Sequence, residues 1–256
     1  FACTVELEGH TWYVLSLVES DITLVFDLKT KLWYRWTRLA AKAGVAITSA
    51  TLTAGIATVA TGTVAHGLSD GDPAVLSGAT PAGYNGTRNV TVTGTAAFTF
   101  PLSGTLGTST TGTAAGFTEN YFHAVASIGL GNRQVIQDAF GDLYELSLSN
   151  AQDAGSLPIN MKARTPRMDY GSNDNKFCHE VSLIGDLLAN TTYGLLRFSD
   201  DDYQSNSYYK RFDLSSQPVS FHRLGYFRRR SWEWRYTGAS RHRVEALEPD
   251  ITKGVT

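Results

Sequence analysis

Between residues 46 and 116 the chain carries only three charged side chains, Asp70, Asp72 and Arg88, yet it holds twelve of the 24 glycines. Few sequences constrain a fold more. So many glycines exclude a long helix, and so few charges exclude a solvated helical face. Thr, Ala and Val alternate, punctuated by the turn signals Ser69-Asp70-Gly71-Asp72, Asn85-Gly86 and Thr93-Gly94. Residues 90–92 and 98–102 offer apolar positions for a core. The block therefore reads as a small β-sandwich inserted into a loop of a host domain. The competing reading is a disordered Thr/Gly linker.

The flanks share a different texture. Residues 11–17 are apolar on both faces, as a covered central strand would be. In residues 21–28, Ile22, Leu24, Phe26 and Leu28 share one face with period 2. Lys29-Thr30 makes a turn, and residues 32–37 add a strand with Trp33, Tyr34 and Trp36. The three predict a meander of the kind that builds propeller blades. Residues 39–44 are the one helix-like stretch nearby. Further strands are expected at 132–137 and 141–148, a hairpin around Phe140-Gly141-Asp142, and at 165–170, 177–184, 192–199, 208–214 and 228–236. The expected class is all-β: a propeller-like or barrel-like host, residues 1–45 and 117–256, with a small β-sandwich inserted at 46–116.

Composition narrows function. The formal net charge is -2, so no chain-wide grip on nucleic acid or an anionic membrane is expected. No apolar run reaches the ~18 residues of a membrane span. The chain opens at Phe1 with neither Met nor a signal-like n-region, as a piece of a longer protein would. Cys3 and Cys178 are too few for a disulfide framework and are expected reduced. The six histidines stand singly, so no zinc site is expected. No Gly-x-Ser-x-Gly and no phosphate-binding glycine loop is present. Asn85, Asn89 and Asn190 match the glycosylation acceptor but read as turn and strand residues. Neither a catalytic residue nor a cofactor is expected.

Ser199-Asp200-Asp201-Asp202 is the most catalytic-looking cluster. It reads as a solvated turn, or as a Ca²⁺ or acid–base site. It also resembles the Asp-box turn Ser-x-Asp-x-Gly-x-Thr-Trp of sialidase-type propellers, with Tyr203 standing where Gly is expected and Asn206 where Trp is.

Basic charge concentrates late: residues 210–243 hold nine of the 22 Lys and Arg, against the acids Asp213 and Glu233. Tyr226, Phe227, Trp232, Trp234 and Tyr236 interleave with them. Two readings compete, a stacking platform for single-stranded nucleic acid and an aromatic-faced strand whose arginines pair with acids. Alternation puts Trp232, Trp234 and Tyr236 on one face as a core wall. Arg229, Ser231, Glu233 and Arg235 fall on the other, with a surface Glu233–Arg235 pair. Arg228 and Arg230 share the aromatic face and are expected to sit at its rim or to reach across to a neighbouring subunit.

These late segments run in a telling order. Gly141-Asp-Leu-Tyr-Glu-Leu-Ser-Leu is followed by Arg164-Thr-Pro-Arg and Phe177-Cys-His-Glu-Val-Ser-Leu. Then come Leu196-Arg-Phe-Ser-Asp-Asp-Asp, Leu224-Gly-Tyr-Phe-Arg-Arg-Arg and Arg241-His-Arg-Val-Glu. The series resembles the C-terminal half of the tail-nozzle, or packaged-DNA stabilisation, proteins of short-tailed bacteriophages. Thr11-Trp-Tyr-Val-Leu through Thr30-Lys-Leu-Trp-Tyr-Arg-Trp looks like that family's blade. Two departures stand out: the Gly after Ser199-Asp200-Asp201 is missing, and residues 46–116 resemble instead the small β modules scattered through phage tail and baseplate proteins.

The resemblance implies a structural, non-enzymatic virion tail protein, assembled in the host cytoplasm. It would form a six-membered ring that extends the DNA channel, retains packaged DNA and lets duplex DNA pass ungripped. Implied partners are the tail adaptor ring, the tail fibre or spike, and the tail needle. Residues 46–116 would project outward as a separate module, to touch a host or a surface glycan or to serve as a spacer. The alternative is a β-propeller glycosidase or carbohydrate-binding protein acting on host polysaccharide, which needs convergent carboxylates ~5–10 Å apart.

Overall fold

A computed structural model describes residues 1–7, 9–131, 133–147, 149–153, 157–188, 193–216 and 219–254. The expected acceptor Asn190 lies outside them, as do the ends of the strands expected at 132–137, 141–148 and 192–199. The protein is all-β: 58% of it is strand, in several antiparallel sheets, and no α-helix forms among the described residues. The barrel expected as one form of the host does not form, because no sheet closes on itself among the described residues. No helix among the described residues is long and apolar enough to cross a membrane.

The chain divides into two compact units, Phe1–Lys42 with Phe117–Asn160, and Ala43–Gly116 with Met161–Thr256. The expected host thus splits after residue 160, and its C-terminal part joins the inserted block in one unit.

In the first unit Ala2–Leu7, His10–Leu17, Ile22–Asp27 and Trp33–Arg35 form a four-stranded meander in sequence order. Asp27 sets the turn after its third strand, accepting from the backbone N–H groups of Lys29 and Thr30 and from His10 Nδ1 at 2.7 Å. Ala124–Leu130, Arg133–Asp138 and Leu143–Leu146 make a second, three-stranded sheet. Asp138 Oδ1 holds its Phe140-Gly141-Asp142 turn through the N–H groups of Phe140 and Asp142. Val5, Val14 and Val25 of the meander meet Ala124 and Ile136 in one core. Residues 37–41 form a strand rather than the expected helical turn. They pair antiparallel with residues 117–121, and this non-local pairing overrides a one-turn helical preference too short to nucleate.

In the second unit the inserted block is a two-sheet sandwich. One sheet joins Gly86–Asn89, Pro73–Ser77 and residues 113–116; the other joins Thr91–Gly94, Ala97–Pro101, Ile56–Ala60 and Ser49–Thr53. Val59, Leu76, Tyr84, Val90, Phe98 and Phe100 are buried between them, so the linker reading is set aside. Gly71 holds φ +82°, and a Cβ there would stand 2.7 Å from the Tyr209 ring, so the turn presses on the C-terminal part. Arg211 Nη2 donates to Asn89 O at 3.0 Å and Thr91 Oγ1 at 2.9 Å, and Arg235 stands 3.7 Å from Asp72. The module has its own core, but it is fastened to residues 161–256 rather than projecting free of them.

Those residues form two further sheets. Ser231–Gly238 lies between residues 161–164 and Tyr193–Ser199, with Lys210–Asp213 beyond. Lys176–Gly185 pairs with Ser220–His222 and Tyr226–Phe227 on one side and Val244–Lys253 on the other. The strand expected at 165–170 does not form. Met168 makes only an isolated bridge to Arg230, because Pro166 lacks the N–H a ladder needs.

Candidate functional site

The expected core wall is in place. Trp232, Trp234 and Tyr236 are buried and pack with Leu196, Phe212 and Leu214. Trp232 Nε1 donates to Tyr170 OH at 2.7 Å, and Tyr236 OH to Ser240 O at 2.7 Å. Phe212 stacks on Trp234 with centroids 4.8 Å apart. Gly194 makes the fit possible: a Cβ there would lie 2.1 Å from Trp234 Cη2. These rings are spent on the core and offer no platform to a base.

Arg230 corrects the sequence reading. It was expected at a subunit boundary, but it is 1% exposed within the chain. Its guanidinium binds Asp200 through two bonds, Nε to Oδ1 at 2.7 Å and Nη2 to Oδ2 at 2.9 Å, and Nη1 donates to Leu224 O at 2.8 Å. It lies 3.8 Å from the Phe198 ring centre and 4.2 Å from that of Phe227. Bidentate pairing plus ring stacking is what lets a guanidinium stay inside. Its companion Arg228 is exposed, with Nε donating to Asn175 Oδ1 at 3.2 Å.

The opposite face of the strand is not a surface either. Glu233 is 0% exposed and does not pair with Arg235. It accepts from Arg164 Nε at 2.5 Å, Arg197 Nη2 at 3.0 Å and Tyr209 OH at 2.5 Å. Arg197 stands directly opposite it in the ladder. Burial alone would raise the Glu233 carboxyl, but bonds from Arg197, Tyr209 and Arg164 and the Lys162 charge outweigh it, holding it at about 2. Burial and the bond to Glu233 push the Tyr209 hydroxyl up to about 12. A carboxylate pinned by three donors stays ionised and is a poor proton carrier.

The acidic run separates by role. Asp200 serves Arg230. Asp201 accepts from Ser199 Oγ and the Ser205 N–H, both at 2.8 Å, and from Ser205 Oγ. The Ser205 and Ser199 bonds hold its carboxyl down at about 2. Asp202 and Tyr203 adopt φ +63° and +67°, so the residue standing where the Asp-box has Gly takes the backbone form that favours Gly. Tyr203 is held there by its hydroxyl, which donates to Thr165 O at 3.0 Å and Trp232 O at 2.9 Å. Among the described residues no three His, Cys, Asp or Glu side chains group to hold a metal ion.

Sequence reasoning missed Arg164, Arg197 and Tyr209 as partners of Glu233. It also missed Lys176, which is fully buried and donates to the carbonyls of Ser172, Asp174 and Arg228.

A different surface stands open. In the meander the residues turned inward from Ile22–Asp27 are Thr23, Val25 and Asp27. The apolar face Ile22, Leu24 and Phe26 points out, in ladder rows with Tyr13, Leu15, Leu17 and Trp33. Tyr13 is 39% exposed, Leu17 41% and Trp33 56%. The strand expected to be covered on both faces is therefore covered on one.

No protein-family model matches the chain, and no curated protein matches it.

Proposed function

We propose that the protein is a structural subunit of a bacteriophage tail, one copy in a nozzle ring that extends the DNA channel. The observation that carries this reading is the open apolar face of the meander. A contiguous apolar sheet face on a lone chain marks an interaction surface, and a closed ring supplies a neighbour to cover it. The ordered series of motifs from Gly141 to Glu245 supplies the family. Six copies is the family's number, and the adaptor ring, fibre or spike, and needle are its neighbours.

The net charge of -2, together with three of the nine late cations, supports a channel that DNA passes without being held. Arg230, Arg235 and Arg243 all have carboxylate partners within the chain. A guanidinium already neutralised contributes little to counterion release. Duplex binding at physiological salt should therefore be weaker than micromolar.

The test is the mass of the assembled particle by native mass spectrometry. A closed ring, most simply of six, is expected. Particles of one or three copies under assembly conditions overturn the reading.

A further inference from the structure

The first unit uses one supersecondary design twice. In the meander Ile22–Asp27 ends on Asp27, and in the three-stranded sheet Arg133–Asp138 ends on Asp138. Both carboxylates are buried. Both accept through Oδ1 from the N–H two residues on, Lys29 and Phe140, each at 2.8 Å. The ladder rows match as well. Leu15 opposite Leu24 corresponds to Ile128 opposite Val135, and Phe26 opposite Trp33 to Gln137 opposite Leu143. Asp27 and Asp138 stand 111 residues apart, and without the 71 residues of the inserted block the spacing would be 40. A block dropped into the connection between two copies of one unit accounts for this, since connecting loops tolerate insertions.

Matching residues point the same way. Val25 and Ile136 lie in the one core between the sheets, so the matching outward faces turn away from it on opposite sides of the unit. The three-stranded sheet is therefore open as the meander is. Ile128, Leu130 and Leu143 are each more than half exposed.

Charge differs where the apolar pattern agrees. Near the Asp27 turn the meander exposes Lys29, Lys31 and Arg35, whereas near the Asp138 turn the three-stranded sheet exposes Asp142 and Glu145. At the other end the signs reverse, with Glu19 and Asp21 on the meander and Arg133 on its counterpart. Within the chain Asp21 meets His123 and Arg133 meets Glu145.

We propose that the outward face of the three-stranded sheet docks on the outward face of the meander of a second copy, head to tail. This rests on the ring reading and completes it. A ring of more than two copies needs two different surfaces on each copy, and the meander supplies one. Unlike faces bring apolar rows together and set opposite charges against each other at both ends. Contact between two meanders leaves the three-stranded sheet bare. The faces are small, so a single contact should be weak, with a dissociation constant on the order of 10–100 µM.

The experiment blocks one face at a time, with Trp33→Glu on the meander and Leu143→Glu on the three-stranded sheet, and follows the mass of the full chain by sedimentation at about 100 µM. Urea midpoints should stay near the parent's, because both side chains face solvent. Trp33→Ser and Leu130→Ser repeat the test if a Glu variant loses its fold. Each variant alone should be monomeric. Mixed in equal amounts, they should form a dimer and stop there, since the mixture holds one intact pair of unlike faces, and salt should weaken that dimer. A Leu143→Glu chain that dimerises alone pairs its meander with itself and overturns the proposal, as does a mixture that stays monomeric. A parent ring unaltered by Leu143→Glu overturns it too, while leaving the ring reading in place. A parent chain that stays monomeric overturns both.

Discussion

The strands Ile22–Asp27 and Ser231–Gly238 both alternate, and they spend the alternation in opposite ways. In the first, the apolar set lies outward and Thr23 and Asp27 lie inward beside Val25. In the second, both sets are buried, rings on one face and Glu233 with its cationic partners on the other. Period 2 says which residues share a face. It does not say which face is inside, because that depends on what covers it. A polar face is buried where partners satisfy it, as His10 does for Asp27 and Arg164, Arg197 and Tyr209 do for Glu233. An apolar face stays open where its cover is another molecule.

The sharpest way to break this comparison is at Arg230. Arg230→Ala removes a stacked guanidinium from the Phe198 and Phe227 rings and leaves Asp200 unpaired. The loss should be about 3 kcal/mol, at the low end for a broken buried pair because Asp200 is partly exposed. Arg228→Ala, two residues away and exposed, should stay within about 0.5 kcal/mol. Urea unfolding of the two variants measures the difference, and equal effects would place Arg230 at the surface after all.

Acid tests the opposite face. Glu233 is held at about 2 against an ordinary 4.5, so its pKa is lower folded than unfolded. Its contribution is complete above pH 4.5 and is lost as pH falls towards 2, amounting to about 3 kcal/mol. Glu233→Gln should start less stable and show a flatter profile in that window. An unchanged profile would assign acid sensitivity to other carboxylates.

How much of this was legible follows sequence distance. Trp232, Trp234 and Tyr236 could be grouped because alternation is local. Arg230 could be placed on their face, but not inside it, since Asp200 lies 30 residues away. Glu233 has partners 24, 36 and 69 residues off, and no pattern within the strand names them. Residues 39–44 read as a helical turn, although 37–41 form a strand, because the partners at 117–121 lie beyond the inserted block. Val244–Lys253 is not among the expected strands; among the described residues it pairs with Lys176–Gly185 alone, and Pro249 is tolerated at such an edge. The inserted block was the easiest part, since its turns and core positions lie close together in the chain.

A smaller effect is expected at Tyr203, where a ring occupies a backbone form that suits glycine. Tyr203→Gly relieves strain of about 1 kcal/mol but forfeits the hydroxyl bonds to Thr165 and Trp232 and the stacking of Arg164, 4.8 Å from the ring centre. Tyr203→Phe keeps the ring and loses only the hydroxyl, at about 1 kcal/mol. Both should destabilise. A Gly variant more stable than the parent would show that the anchor is weaker than the strain.

The least effect on folding, and the most telling for the open face, belongs to Trp33. Its ring touches Phe26, with centroids 4.9 Å apart, and is otherwise more than half exposed. Trp33→Ser removes one cross-strand pair at the sheet edge, which should cost the lone chain about 0.5 kcal/mol. If a neighbouring copy covers this face, the same change deletes a large aromatic from an interface, where such residues carry much of the binding energy. Assembly should then weaken roughly tenfold or more while the unfolding midpoint barely moves. Sedimentation and urea unfolding on the same preparation separate the two. If stability falls by as much as in Arg230→Ala, the face is core within the chain and the contrast between the two strands fails. If neither quantity changes, the face is open for a reason other than self-association.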